Sequence, residues 1–179
     1  MNLDLIHNDF PIWEVTDWQV PHIDYTQTHA YDQSSKHYKS SDLRHTVNST
    51  IDMYGQGFEI QNMLRNNDSI LLDQMWKGHL KRFHWPMGGY SLLVDKPGFS
   101  MSTHVDNRYV LGVLIINLQD NPEGSSTYFP MLEYSTPTKK GTGVFFLNHV
   151  NTSHTIEQPG PEDRFILYQV LTLDNLKYD

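Results

Sequence analysis

From residue 90 onward the chain is cut into short apolar segments separated by turn clusters, and that spacing leaves few folds open. Strand-like runs are read at 90–96, 99–104, 109–118, 126–129, 132–136, 142–147, 153–158 and 164–173. Between them stand Lys96-Pro97-Gly98, Asp120-Asn121-Pro122-Glu123-Gly124, Lys139-Lys140-Gly141 and Pro159-Gly160-Pro161. Proline and glycine pre-set or permit the dihedral angles of tight turns. About eight short strands at such intervals predict a sandwich or barrel, and a jelly roll is one way to close the edges.

The preceding segment has a different period. Ile60, Met63 and Leu64, then Leu71, Leu72, Met75, Trp76 and Leu80, repeat at i, i+3, i+4 on either side of Asn66-Asn67-Asp68-Ser69. This predicts helices within 58–83, with Asp68 or Ser69 capping the second. Their apolar stripe suits packing on a sheet, and His79 and His84 read as ordinary helix-end residues. Residues 1–57 are polar and read as loops, with Tyr25, Tyr31, Tyr38 and Tyr54 either packing over a core edge, the favoured reading, or lining a substrate entrance. The expected architecture is one mainly β (α+β) domain over 1–179. A jelly-roll core spans 90–173, and a loop-and-helix support region, 1–89, lays its N-terminal helices on one face.

Composition narrows the function. A net charge of −8 argues against a nucleic-acid surface, which normally carries a basic stripe. The small cluster Lys77, Lys81 and Arg82 reads as a solvated helix face. With no cysteine, disulfides and thiolate-held zinc or iron–sulfur centres are excluded. The N-terminus lacks the basic and apolar regions of a signal peptide, and no apolar run is long enough to span a membrane. A cytoplasmic protein is the expectation.

One motif within the strand-rich half carries chemistry. His104-Val105-Asp106 is followed fifty residues later by His154, and ten residues after that by Arg164. Two imidazoles and one carboxylate can occupy one face of an iron(II) ion, leaving three positions for a chelating cosubstrate and dioxygen. Arginine adds a planar cationic fork suited to a carboxylate. The set suggests an oxygenase with a dicarboxylate cosubstrate. The triplet itself is weak, since roughly 0.8 His-x-Asp are expected by chance and three occur, at His7/Asp9, His22/Asp24 and His104/Asp106. Only the third is flanked by strands, on which residues i and i+2 project to one side.

His149 competes with His154 for the distal position. His154 is favoured because it opens a strand-like run that can lie antiparallel to the first motif, leaving His149 as a loop residue or a donor behind the ligands. In 164–173 alternation puts Arg164, Ile166, Tyr168 and Val170 on one face. An arginine beginning an apolar face needs an anion. Trp85, Tyr128 and Arg108 are candidate wall residues, each equally readable as packing.

These stretches resemble a known family. Lys96-Pro97-Gly98-Phe99 leading into His104-Val105-Asp106-Asn107, Gly124-Ser125-Ser126-Thr127-Tyr128-Phe129-Pro130, Lys140-Gly141-Thr142-Gly143-Val144-Phe145-Phe146, Ser153-His154-Thr155-Ile156 and Asp163-Arg164-Phe165 are similar, in order, to the iron(II)/2-oxoglutarate-dependent dioxygenases. Within that superfamily they resemble the prolyl-4-hydroxylase-like branch. The resemblance covers about Tyr90 to Leu173. It implies a double-stranded β-helix, iron(II) held by His104, Asp106 and His154, and Arg164 on the distal carboxylate of 2-oxoglutarate. It implies oxidative decarboxylation of that cosubstrate to succinate and carbon dioxide, coupled to hydroxylation of an unactivated C–H bond. Dioxygen is the oxidant, and ascorbate is an accessory cofactor the resemblance allows. The substrate would be a peptide, prolyl or otherwise, or a small molecule.

Two positions depart from the family. Gly124-Ser125-Ser126-Thr127 stands where relatives have Gly-Gly-Glu-Thr. Asp95 stands where many carry a tyrosine that helps hold 2-oxoglutarate. Because an aspartate repels a dicarboxylate, Asp95 is expected to point outward, with Tyr90 or Thr127 supplying the missing hydrogen bond. A catalytically silent jelly roll that binds a ligand or partner is the competing reading. A cupin-type metalloenzyme is disfavoured because the chain contains no His-x-His.

Overall fold

A computed structural model describes residues 1–7, 10–31, 37–39, 41–49, 90–107, 110–123, 125–156 and 160–172. The helices expected in 58–83 lie outside these residues, as do Tyr54, His79, His84, Trp85 and Arg108. Among the described residues the chain is mainly β, with three short 3-10 turns as its helical elements. No helix among them is long and apolar enough to cross a membrane.

The strand-rich half behaves as its turn spacing dictates. Its strands are β5 (Tyr90–Asp95), β6 (Met101–His104), β7 (Val110–Asn117), β8 (Tyr128–Phe129), β9 (Tyr134–Ser135), β10 (Gly143–Leu147), β11 (His154–Ile156) and β12 (Arg164–Thr172). Residues 1–47 differ from the expected loops. They contribute β1 (Asn2–Leu5), β2 (Ile12–Thr16), β3 (Thr28–Ala30) and β4 (Arg44–Val47). Ile12-Trp13-Glu14-Val15 is apolar at three of four positions, and Ile12, Trp13 and Val15 are buried. Such short β-branched and aromatic runs form strands only when a neighbour supplies the ladder, and here β10 does.

All strands pair antiparallel, in two sheets. The larger runs β1-β2-β10-β7-β12-β5-β4-β3 and the smaller β6-β11-β8-β9. Side-chain alternation divides the larger sheet's core in two. Leu93, Val113, Ile115, Val144, Phe146 and Ile166 cluster with Phe129 of the smaller sheet. Leu92, Val94, Leu114, Ile116, Phe145 and Leu167 pack on the opposite face with Trp13 and Trp18. Burial on both faces explains the near-continuous apolar runs of β7 and β10. Gly143 allows these two strands to close: a Cβ there would lie 1.9 Å from the Ile115 carbonyl oxygen.

Candidate metal centre

The smaller sheet brings the two histidines together by register. His154 of β11 is directly opposite His104 of β6, so both side chains leave the same face. Asp106 lies two residues past the end of β6, in the loop before β7, rather than on the strand as expected. Its two carboxylate oxygens are 3.8 Å from His104 Nε2 and 3.9 Å from His154 Nε2. Ligand atoms of all three residues lie within 4.8 Å of one another. Donors sharing a metal at about 2.1 Å stand roughly 3.0–3.4 Å apart, so inward movements of about 1 Å complete a shared sphere.

Backbone carbonyls aim the rings. His104 Nδ1 contacts the Ser102 carbonyl at 2.9 Å and His154 Nδ1 the Thr152 carbonyl at 3.2 Å. A carbonyl can only accept, so each ring carries its proton on Nδ1 and turns the Nε2 lone pair toward Asp106. His154 is wedged against Phe146 and Phe129, ring centroids 4.9 and 5.7 Å away. Burial, followed by the neighbouring His104, lowers its pKa to about 3. It is therefore neutral and metal-competent across the physiological range. Burial raises the carboxyl of Asp106, a shift that His104 opposes. Asp106 Oδ2 is buried without a hydrogen-bond partner. Two imidazole lone pairs facing an orphaned carboxylate oxygen are what a divalent cation would satisfy.

His149, the competing histidine, caps the 3-10 turn Val150–Thr152. Its Nδ1 accepts from the Asn151 amide at 3.2 Å while its own amide donates to Thr152 Oγ1 at 3.0 Å. It is outside the three-residue cluster. Its neighbour Asn148, which sequence reasoning passed over, donates from Nδ2 to the carbonyls of Asp106, Asn107 and Val110 at 3.3, 3.1 and 3.0 Å. This amide ties the loop carrying Asp106 to the end of β10. His37 was missed as well. Its ring stacks on His104 at 4.4 Å, and its carbonyl accepts from the Ser102 amide at 2.9 Å.

A cavity of about 800 Å³ runs from this cluster to Arg164. Along β12, Arg164, Ile166, Tyr168 and Val170 all line it, as alternation predicted. Arg164 is 1% exposed. Its Nη2 donates to Thr127 Oγ1 at 3.0 Å, while Nε and Nη1 are buried without hydrogen-bond partners. Burial pulls its pKa down to about 10, with Asp95 holding it up and Arg44 pushing it down, so the group stays charged at neutral pH. A buried cation with unspent N–H groups needs an anion.

Two expectations change here. Asp95 does not point outward: it is 0% exposed and receives Arg44 Nε and Nη2 at 2.6 and 2.8 Å. Residues 91, 93 and 95 of β5 share the inner face, so Tyr90 has the wrong parity. It packs against the opposite cluster and does not line the cavity. Of the two readings of Tyr128, its half-buried position in β8 opposite Thr155, away from the cavity lining, agrees with packing. Thr127 does line the cavity. Its hydroxyl holds Arg164 and retains a proton to donate.

Prolyl hydroxylases are among the solved structures similar to this one. A viral collagen prolyl hydroxylase from Paramecium bursaria Chlorella virus 1, in its 2OG complex, shows 20% identity over 63% of this chain and 69% of its own, with a TM-score of 0.41. A Pseudomonas putida prolyl-4-hydroxylase shows 16% identity over 69% and 67%, with a TM-score of 0.46. A truncated form of the viral enzyme gives 20% over 79% and 95%, with a TM-score of 0.39. No protein-family model matches the chain, and no curated protein matches it in sequence.

Proposed function

We propose that this protein is an iron(II)- and 2-oxoglutarate-dependent dioxygenase. In this reading His104, Asp106 and His154 hold the iron and Arg164, with Thr127, receives the distal carboxylate of 2-oxoglutarate. The chain forms one domain whose two sheets make a double-stranded β-helix. The observation carrying the reading is that one cavity joins a largely buried His-Asp-His cluster to a buried arginine with unspent donors. Two nitrogen donors and one carboxylate with open positions suit non-haem iron(II).

When bound, iron and its keto-acid cosubstrate supply the activation of dioxygen. The chain's own contribution is to fix both ends of the cosubstrate and to keep the site dry. His104 and His154 are held by backbone carbonyls at Nδ1 with Nε2 turned toward Asp106. Arg164 orients the distal carboxylate, and the apolar wall of Ile115 and Ile166 excludes water. The substrate is an unactivated C–H bond of a peptide or small molecule, presented at the open side of the cluster.

Incubation with iron(II), 2-oxoglutarate and oxygen, with and without ascorbate, tests the proposal. Metal-dependent formation of succinate is the expected outcome. Cosubstrate binding without any succinate would instead favour a silent binding protein of this fold.

A further inference from the structure

The floor of the cavity contains a charge arrangement that the proposed clamp does not by itself require. Register sets Arg44 of β4 opposite Asp95 of β5, and Asp95 opposite Arg164 of β12. The three side chains thus form one row across adjacent strands, all facing the cavity side. Asp95 divides itself unequally. It accepts two bonds from Arg44, at 2.6 and 2.8 Å, and stands 3.9 Å from Arg164 Nη1. Arg44 is further fixed by donating to the Tyr38 hydroxyl at 3.2 Å and by lying over the Phe99 ring at 4.3 Å. Burial disfavours its charge, but Asp95 and Tyr38 together raise its pKa above the ordinary value.

The row carries two positive charges and one negative. One incoming carboxylate neutralises it. Without Arg44, Asp95 would be an unpaired buried carboxylate beside Arg164, free to turn onto its Nη1 and cancel the charge that the cosubstrate needs. We infer that Arg44 is a positioning residue that occupies Asp95 and so keeps Arg164 available for the distal carboxylate of the cosubstrate. The inference rests on the oxygenase reading above. It also explains how an aspartate is tolerated beside Arg164, where repulsion of a dicarboxylate would otherwise exclude it.

The test is calorimetric binding of 2-oxoglutarate to manganese(II)-loaded protein without oxygen, compared across wild type, R44Q and the R44Q/D95N double variant. R44Q is expected to bind 2-oxoglutarate about tenfold or more weaker, with manganese affinity unchanged, and D95N added to it should restore binding to within about threefold. Because neutralising a stranded Asp95 also relieves a merely structural defect, melting temperatures are measured alongside. Affinity lost in R44Q and regained in the double variant out of proportion to the melting temperature marks the shielding role. Affinity that only follows the melting temperature overturns it. Equal affinity of R44Q and wild type overturns the inference. So does equal weakness of R44Q and the double variant, which would mean that Arg44 touches the cosubstrate itself. Should R44Q fail to fold, R44K replaces it, with a loss of about threefold again reversed by D95N; no loss, or no reversal, overturns the inference. Wild-type protein that takes up manganese but no 2-oxoglutarate refutes the oxygenase reading and this inference together.

Discussion

The two ends of the cavity are built on opposite plans. At the histidine end the side chains are aimed by backbone carbonyls two residues before them, Ser102 for His104 and Thr152 for His154. At the arginine end they are aimed by one another, through Asp95, Arg44 and Thr127, drawn from three separate parts of the chain. A group held by backbone can be deleted without orphaning a partner. A group held by a buried counter-charge cannot, since the survivor stays desolvated and unpaired. The histidine end should therefore lose chemistry without losing fold, and the arginine end should lose both.

The largest expected effect tests the first half of that contrast. H104A or D106A should abolish metal binding and turnover while leaving the melting temperature of the metal-free protein within about 3 °C. Full activity in both would refute the site. R164A comes next. It should weaken 2-oxoglutarate binding by about 2–5 kcal/mol, seen as a steep rise in the cosubstrate requirement with metal uptake retained. Unlike the histidine variants, it should also lower the melting temperature, because Asp95 loses one of its two cations. A destabilised D106A beside an unperturbed R164A would invert the comparison.

Acid sharpens it. The folded pKa of His154 is about 3, below the ordinary 6.5. Unfolded chain therefore takes up a proton below about 6.5 that folded chain refuses until near 3. Metal-free stability contributed by His154 is complete above that upper value and drains away as pH falls through the window. Asp106, whose carboxyl is raised by burial, takes up its proton earlier when folded and offsets part of the loss. Melting curves between pH 7 and 4 should show the decline, and H154Q should flatten it.

Smaller effects concern what supports the histidine end. N148A removes the amide that donates to three carbonyls around Asp106. It should cost about 1–3 kcal/mol of stability, measured by urea unfolding, and weaken metal binding severalfold. The least effect belongs to H149A, which loses a turn cap worth about 0.5–1 kcal/mol and should keep its metal. H154A should lose it, and the reverse result would exchange the two roles.

The contrast in construction also explains what could be read from the sequence. His104 and Asp106 are two residues apart, and strands around them follow from hydrophobic runs and turn residues. His154 was selected because it opens a strand. The inward face of β12 follows from alternation, which places Arg164. On β5 alternation fixes only that Tyr90, five positions from Asp95, lies on the other face, so turning Asp95 outward carries Tyr90 inward with it. It was the chemical argument about repulsion that turned Asp95 outward. That argument failed because Arg44, the cation that makes an inward Asp95 tolerable, lies 51 positions away on a four-residue strand with no strong period of its own. The strands β1 to β4 were missed for a related reason: each is too short to declare itself without the neighbour that completes its ladder.

Those early strands have a consequence for anyone dissecting the molecule. They sit at both margins of the larger sheet, β1 and β2 beyond β10, and β3 and β4 beyond β5. A fragment beginning at Tyr90 would keep every residue of the recognisable motifs and still bare two long rows of unsatisfied amide and carbonyl groups. Such rows recruit other chains. The part of the polypeptide that announces the chemistry would thus be prone to clump when separated from the part that announces nothing.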